Sequence, residues 1–280
     1  MSGRYSAFTF CDRIIEFVPA TSARAVFLVP AHLGEFAACL VAEAVGQLAA
    51  WVSMAHIGFR GRPVAALAGE TRYFGAVGAG QTLGLDIAIE HCDEESVAYS
   101  GRATVEGHEI LRLTDCVAPM LPQRDYDEPE DLAQQFELLR GPGALPGRFA
   151  GCGRPALTPV EVEGDKRRVT RLDVPTDADF FSDHFPRRPV FPATLLLDSA
   201  IRVACELVAS PSRSCEGHWR LTRMTHLKMR DFVLPGQSLA LMAELLATSD
   251  ETARVGLTAR VGERTVATAR VEFEAPGESR

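Results

Sequence analysis

Within DHFPRRPVFPATLLLDSAIR, residues 183–202, a histidine stands on a loop stiffened by Pro186, Pro189 and Pro192. Downstream, Asp198 interrupts an apolar helical run. Imidazole titrates near neutrality, so His184 can take a proton at physiological pH with little tuning. A carboxyl in apolar surroundings is biased the other way, because desolvation raises its pKa and leaves it a proton to donate. A base on a rigid loop and an acid in a buried helix are the parts of a proton-transfer site. A second acid in a similar setting, Glu43 in LVAEAVG, makes the identity of the partner a question.

The elements that carry these residues come in two copies. Residues 79–107 resemble residues 235–262, with Gly80-Gln81 matching Gly236-Gln237 and ATVEG (103–107) matching TARVG (258–262). Each copy reads as a Gly-initiated turn, an alternating apolar strand, a charged turn, a second strand, a Gly hairpin (EGHE, VGER) and a third strand. One helix precedes each copy, over 38–54 and over 193–209. Both helices are apolar nearly all round and must be enclosed by protein. Each carries one acid with a polar residue four positions later on the same face, Glu43 with Gln47 and Asp198 with Arg202. Glu43 lies 37 residues before Gly80 and Asp198 lies 38 before Gly236, so the acids keep register with the repeat. The expected fold is α+β, a buried helix wrapped by an antiparallel sheet, made twice. The units are 1–121 and 165–280, joined by a Pro/Gly-rich acidic linker over 122–164 with a short helix at 131–139.

Composition narrows the function classes. A net charge of −8 argues against nucleic acid or an anionic membrane as partner. The basic stretches DKRRVTR (165–171) and HLKMR (226–230) read as solvated strand edges and loops. No apolar run reaches the roughly 20 residues that span a bilayer, and no signal peptide is read at the N-terminus. The 7 cysteines are scattered without a CxxC pair, which suits reduced thiols and a cytoplasmic setting better than disulfides or a metal site. No GxGxxG after a strand, P-loop, HExxH or GxSxG occurs, so nucleotide, zinc-protease and serine-hydrolase chemistry find no support.

HFPRRPVFPATLLLD resembles the signature of the hotdog-fold 3-hydroxyacyl-carrier-protein dehydratases (FabA/FabZ-like), in which an acid follows the histidine by fourteen residues, as Asp198 follows His184. VTRLDVPTDADFFSD and HLKMRDFVLPGQSL agree on either side. The first half resembles the same family through FTFCDRIIE, the acid-x-x-x-Gln motif EAVGQ (43–47) and YFGAVGAGQTL. The resemblance implies a double hotdog in which the histidine of one unit faces the helix acid of the other. It also implies dehydration of 3-hydroxyacyl thioesters to enoyl thioesters, in fatty-acid or polyketide-type biosynthesis. The substrate would ride on the phosphopantetheine of an acyl carrier protein, or on CoA, with no further cofactor and no metal. The chain would be a monomeric pseudo-dimer or a homodimer of double hotdogs.

The halves differ where it matters. Fourteen residues before Glu43 stands Val29, and the HFPxxPVxP loop is missing from FLVPAHLGEFA. His32 lies nearby without the flanking Phe-Pro or the spacing, and is read as a polar loop residue. Crossed pairing then makes one complete site, His184 as base with Glu43 as acid and Gln47 beside it. The mirror site keeps Asp198, which Arg202 would neutralise, and is read as structural. A pairing of His184 with Asp198 remains the competing arrangement. By the same resemblance Phe185 lines an acyl tunnel, and Pro192 and Ala193 form the turn whose backbone N–H stabilises the thioester oxygen. Ala193 stands in the place of the family's glycine, a poor fit only if the position needs positive φ. Arg187 and Arg188 would meet a phosphate or an acidic carrier protein at the tunnel mouth, with plain surface charge weighed evenly against this. A hotdog thioesterase and a non-catalytic acyl-carrier-binding protein are the rival functions.

Overall fold

The structure, a computed structural model, describes residues 5–34, 36–209 and 219–275. The first half runs β1 (Arg13–Val18), β2 (Ser22–Leu28), α1 (Ala38–His56), β3 (Gly61–Pro63), β4 (Leu67–Tyr73), β5 (Thr82–Cys92), β6 (Ser96–Val105) and β7 (His108–Pro122). A 3-10 turn (Gln123–Asp125) and α2 (Pro129–Arg140) follow. The second half runs β8 (Leu157–Glu163), β9 (Arg167–Asp173), a 3-10 turn (Asp179–Ser182), α3 (Ala193–Val208), β10 (Arg220–Met229), β11 (Ser238–Thr248), β12 (Thr252–Val261) and β13 (Arg264–Glu274).

All strand pairs are antiparallel, and the order is β1-β2-β5-β6-β7-β4-β10-β13-β12-β11-β9-β8, with β3 on β7. That order reads the same from both ends, each strand of one half matching one of the other. The halves meet where β4 pairs with β10, Arg72 opposite Arg223 and Ala68 opposite Leu227, so one continuous sheet serves both. The repeat read in the sequence is β5-β6-β7 and β11-β12-β13. Gly80 and Gly236 both adopt φ +78°, the left-handed conformation that the turn before each copy demands and glycine supplies without strain. Period-2 alternation buries Leu83, Leu85 and Ile87 on β5 and Leu239, Leu241 and Ala243 on β11.

One boundary departs from expectation. Residues 157–163, assigned above to the linker, form β8, which pairs with β9 as β1 pairs with β2. Its side chains are exposed at the sheet edge, so it shows no hydrophobic alternation by which to be recognised. The linker helix also begins earlier, at Pro129, whose missing N–H is harmless at a helix start.

The two long helices lie inside the curved sheet, α1 against β5 and β6, α3 against β11 and β12, and against each other. At 19 residues α1 is long and apolar enough to cross a bilayer, against the expectation from run lengths. Here the sheet encloses it, with Leu48, Ala49 and Val52 fully buried. The face of α1 left out of this packing carries Ala42, Glu43, Gly46, Gln47 and Ala50, all half-buried. Of the cysteines, Cys11, Cys39, Cys92, Cys116, Cys152 and Cys205 are free thiols, and Cys215 lies outside the described residues.

Candidate active site

The open face of α1 borders a cavity of about 410 Å³. Ala42, Glu43, Gly46, Gln47, Ala50, Trp51 and Met54 reach it at helical spacing from the first half. The second half contributes Asp183, His184, Phe185, Phe191, Ala193 and Thr194. The cavity therefore lies between the halves, and His184 and Glu43 border it from opposite sides of the repeat. Asp198 lies outside it, against a separate hollow of about 60 Å³ lined by Leu33, Phe149, Cys152 and Arg154 among others.

His184 follows the Asp179–Ser182 turn, with its N–H on the Phe180 carbonyl at 2.8 Å. Its carbonyl accepts the Val190 N–H at 3.2 Å, and its Nδ1 lies 3.1 Å from the Val190 carbonyl. A carbonyl can only accept, so Nδ1 carries the proton and the Nε2 lone pair is left as the basic atom. Phe185 stacks on the imidazole at 4.2 Å, and Phe8 meets it in a T-shaped contact at 5.5 Å between centroids. Burial among these rings pushes the imidazole down to about 4, with the Arg62 charge adding in the same direction. The ring is neutral at pH 7.

Glu43 is held at both oxygens. Gln47 Nε2 donates to Oε1 at 2.9 Å, and Thr194 Oγ1, from the other half, donates to Oε2 at 2.9 Å. Burial raises its pKa and outweighs these two hydrogen bonds, which lower it. Base and acid are thus biased toward a free imidazole and a protonated carboxyl.

Ala193 opens α3, whose first amides have no intrahelical acceptor, and Ala193 and Thr194 at this helix N-terminus border the cavity. Its φ is not positive, so the alanine carries no strain in the turn. Pro192 caps that helix without lining the cavity. Arg187 and Arg188 stand outside the lining and are exposed. Arg187 is ion-paired with Glu128 and donates to the Arg124 carbonyl at 2.7 Å. Arg188 lies over the Tyr126 and Phe232 rings at 5.9 and 5.7 Å. His32 is exposed, with Nε2 at 3.4 Å from the Ala150 carbonyl.

At Asp198 the structure revises the expected partner. Arg154, from the segment before β8, brings Nε to 3.7 Å from Oδ2. Arg202 instead donates to the Pro155 carbonyl at 3.3 Å. The helical spacing of Arg202 placed it on the right face, but its reach is taken by the chain that crosses over the helix.

Several site residues escaped the sequence reading. Thr194 looks like one more helix residue until the halves are brought together. Arg62, on β3, borders the cavity with its guanidinium 4.1 Å over the Phe185 ring and Nη1 buried without a hydrogen-bond partner. Its burial lowers its pKa to about 10, so it stays charged at neutral pH. Asp183 and residues 5–10 wall the site on a third side, and a single acid beside a histidine gave no signal of that. Among the described residues no group of three or more His, Cys, Asp or Glu could hold a metal ion.

Comparison with known proteins bears on the family and the fold. The ApeI-like family model, described as ApeI dehydratase, matches residues 161–269. The 3-hydroxyacyl-(acyl-carrier-protein) dehydratase FabZ of Acetivibrio thermocellus is 30% identical over 116 residues, 41% of this chain and 78% of that protein. Solved structures of the same fold include the acyl-ACP thioesterase of Bacteroides thetaiotaomicron, with TM-score 0.55 and 11% identity over 90% of this chain and 98% of that one. The 12:0-ACP thioesterase of Umbellularia californica has TM-score 0.57 and 10% identity over 91% of this chain and 94% of that one. Identities this low speak for shared architecture and not for shared chemistry.

Proposed function

The chain belongs to the FabA/FabZ-like family of hotdog-fold dehydratases, and from that premise we propose that it dehydrates 3-hydroxyacyl thioesters to trans-2-enoyl thioesters at the cavity between its halves. The observation that carries this reading is that Glu43, of the two helix acids, is the one that shares a cavity with His184.

His184 Nε2 takes the proton from the carbon next to the thioester carbonyl. Charge gathers on the carbonyl oxygen, toward which the free amides at the start of α3 are suited to point. As the C2–C3 double bond forms, the C3–O bond breaks, and the Glu43 proton goes to the leaving hydroxyl to give water. The imidazolium then returns its proton to the Glu43 carboxylate through solvent, and both groups are reset. Burial serves both partners, since it keeps the imidazole unprotonated and biases the carboxyl toward its protonated form. The substrate is read as bound to the phosphopantetheine arm of an acyl carrier protein or to CoA, its acyl chain lying along the Ala42–Gly46–Ala50 face of α1.

A 3-hydroxyacyl thioester given to the purified chain should gain enoyl absorbance without releasing free thiol. Thiol release without enoyl absorbance would make the chain a thioesterase and end the dehydratase reading.

A further inference from the structure

Residues 5–10 cross from one half of the site to the other, and both ends of that crossing are tied to neighbours of the proposed base and acid, Asp183 and Gln47. The buried Asp183 carboxylate, next in the chain to His184, gathers four donors from this segment. Oδ1 accepts the Tyr5 N–H at 3.1 Å, and Oδ2 accepts the Ala7 and Phe8 N–H groups at 2.8 Å each and the Thr9 hydroxyl at 3.3 Å. Two residues on, Gln47 takes over. Its Oε1 accepts the Phe10 N–H at 2.9 Å and its Nε2 donates to the Phe8 carbonyl at 3.0 Å. The same Nε2 donates to Glu43. The segment is therefore a strap running from the residue beside the base to the residue that orients the acid, and Phe8 at its middle makes a T-shaped ring contact with His184. A carboxylate accepting several backbone N–H groups makes charge-assisted bonds, roughly twice as strong as neutral ones.

We propose that Asp183 is a positioning residue, clamping residues 5–10 over His184 so that base and acid are held in register across the two halves. This rests on the dehydratase reading for its kinetic consequence, but not for its structural one. With the strap in place, Phe8 excludes water from the imidazole and Gln47 keeps Glu43 aimed into the cavity. With it released, the imidazole hydrates and Gln47 loses two of its three hydrogen bonds. The groups that act on the His184 ring are Phe8 from the strap, Phe185 and the Val190 carbonyl from its own loop and the Arg62 charge from β3, while Glu43 of α1 lines the same cavity. Asp183 precedes it, and Tyr5 and Asp127 stand around Arg62.

The test uses the full chain with Asp183→Ala and Asp183→Asn. In Asp183→Ala the amides of Ala7, Phe8 and Phe10 should exchange hydrogen at least about tenfold faster, while the amides of β5 and β12 keep their protection. The His184 ring, followed by NMR, should titrate closer to the ordinary value of 6.5. The kcat should fall roughly 10- to 100-fold with KM little changed, as misplacement of reacting groups predicts. Asp183→Asn keeps one acceptor oxygen and should fall between. Phe8→Ala leaves the carboxylate and its hydrogen bonds in place and serves if Asp183→Ala fails to fold; it should raise the ring's titration midpoint by itself. Unchanged protection at Ala7 and Phe8 would overturn the proposal, as would released amides with an unmoved His184 midpoint. If the unmodified chain dehydrates no 3-hydroxyacyl thioester, the proposed reaction falls, while exchange and ring titration still decide the clamp.

Discussion

Near Glu43 and near Asp198 the same frame was built twice and finished differently. The face of α1 that carries Glu43 is lined by Ala42, Gly46 and Ala50, and about 410 Å³ stands open beside it. The matching positions of α3 hold Leu197, Ile201 and Cys205, with Leu197 and Ile201 buried and Leu197 bordering the large cavity, while the hollow beside Asp198 is about 60 Å³. Each helix uses the residue four beyond its acid to hold the segment that leads into its half. Gln47 holds the Phe8 carbonyl, and Arg202 holds the Pro155 carbonyl. The two segments then deliver different groups. One brings Phe8 to the histidine loop of the other half. The other brings Arg154 to Asp198 and buries Phe149 against Phe10 and Phe36. An acid given space and a histidine is equipped for proton transfer, and an acid given an arginine and only a small hollow is ion-paired away from the histidine. The frame is repeated, while the space and the partners beside each acid are not.

The largest effect expected from this contrast is between the acids themselves. Glu43→Gln and His184→Ala should each lower kcat by roughly a thousandfold, within the 10²–10⁴ range of acid–base groups. Asp198→Asn should leave kcat within about twofold and cost at most about 1 kcal/mol through the partly exposed Arg154 pair. Steady-state rates by enoyl absorbance and denaturant melts check both. Equal losses for Glu43→Gln and Asp198→Asn would dissolve the distinction between the two sites.

Filling the open face comes next. Ala50→Leu imitates the crowding of α3 and should cut kcat/KM for long-chain thioesters by tenfold or more, on the order of 1–3 kcal/mol of overpacking. A short-chain substrate should be nearly unaffected. A uniform loss over both chain lengths would move the acyl chain off this face of α1.

The pH dependence is smaller and has a defined sign. Activity needs the neutral imidazole, so kcat/KM should hold to well below pH 6.5 and fall as His184 protonates at about 4. On the alkaline side it should fall as Glu43 loses its proton, above the ordinary carboxylate range. The stability linkage of His184 follows from its depressed folded pKa. Between about 4 and 6.5 the unfolded chain binds the proton and the folded chain does not, so stability declines as pH falls through that window. His184→Gln should flatten that decline in denaturant melts taken at several pH values.

Arg62→Met sharpens the electrostatic part. The guanidinium lowers the pKa of both His184 and Glu43, so its removal should move both limbs of the pH–rate profile upward. The smallest effect is expected at the surface. Arg187→Ala with Arg188→Ala should raise KM for a carrier-bound substrate more than for a short free thioester. Since Arg187 is already paired with Glu128, Arg188 should carry most of that change.

Much of this was legible in the chain. The helix-strand-strand-strand repeat, the acids in register with it and the histidine loop present in one copy follow from spacing and periodicity, which act locally. β8 was not legible, because an exposed edge strand buries no alternate face and looks like linker. Arg202 was expected at Asp198, where Arg154 stands, because helical spacing reports the face a residue occupies and not the chain that crosses above it. Thr194, Asp183, Phe8 and Arg62 carry no motif, and their meaning lies in contacts over long sequence separations, such as the 151 residues between Thr194 and Glu43.

By itself the sequence determined that two like units exist, that each buries a helix with one acid, and that a single histidine loop serves them. Those properties live in local patterns of volume and polarity. Which acid shares a cavity with His184, and what closes over that cavity, was decided only when β4 paired with β10. That pairing sets α3 against α1 and brings Thr194 to Glu43 and Asp183 to the strap, contacts that no local pattern encodes.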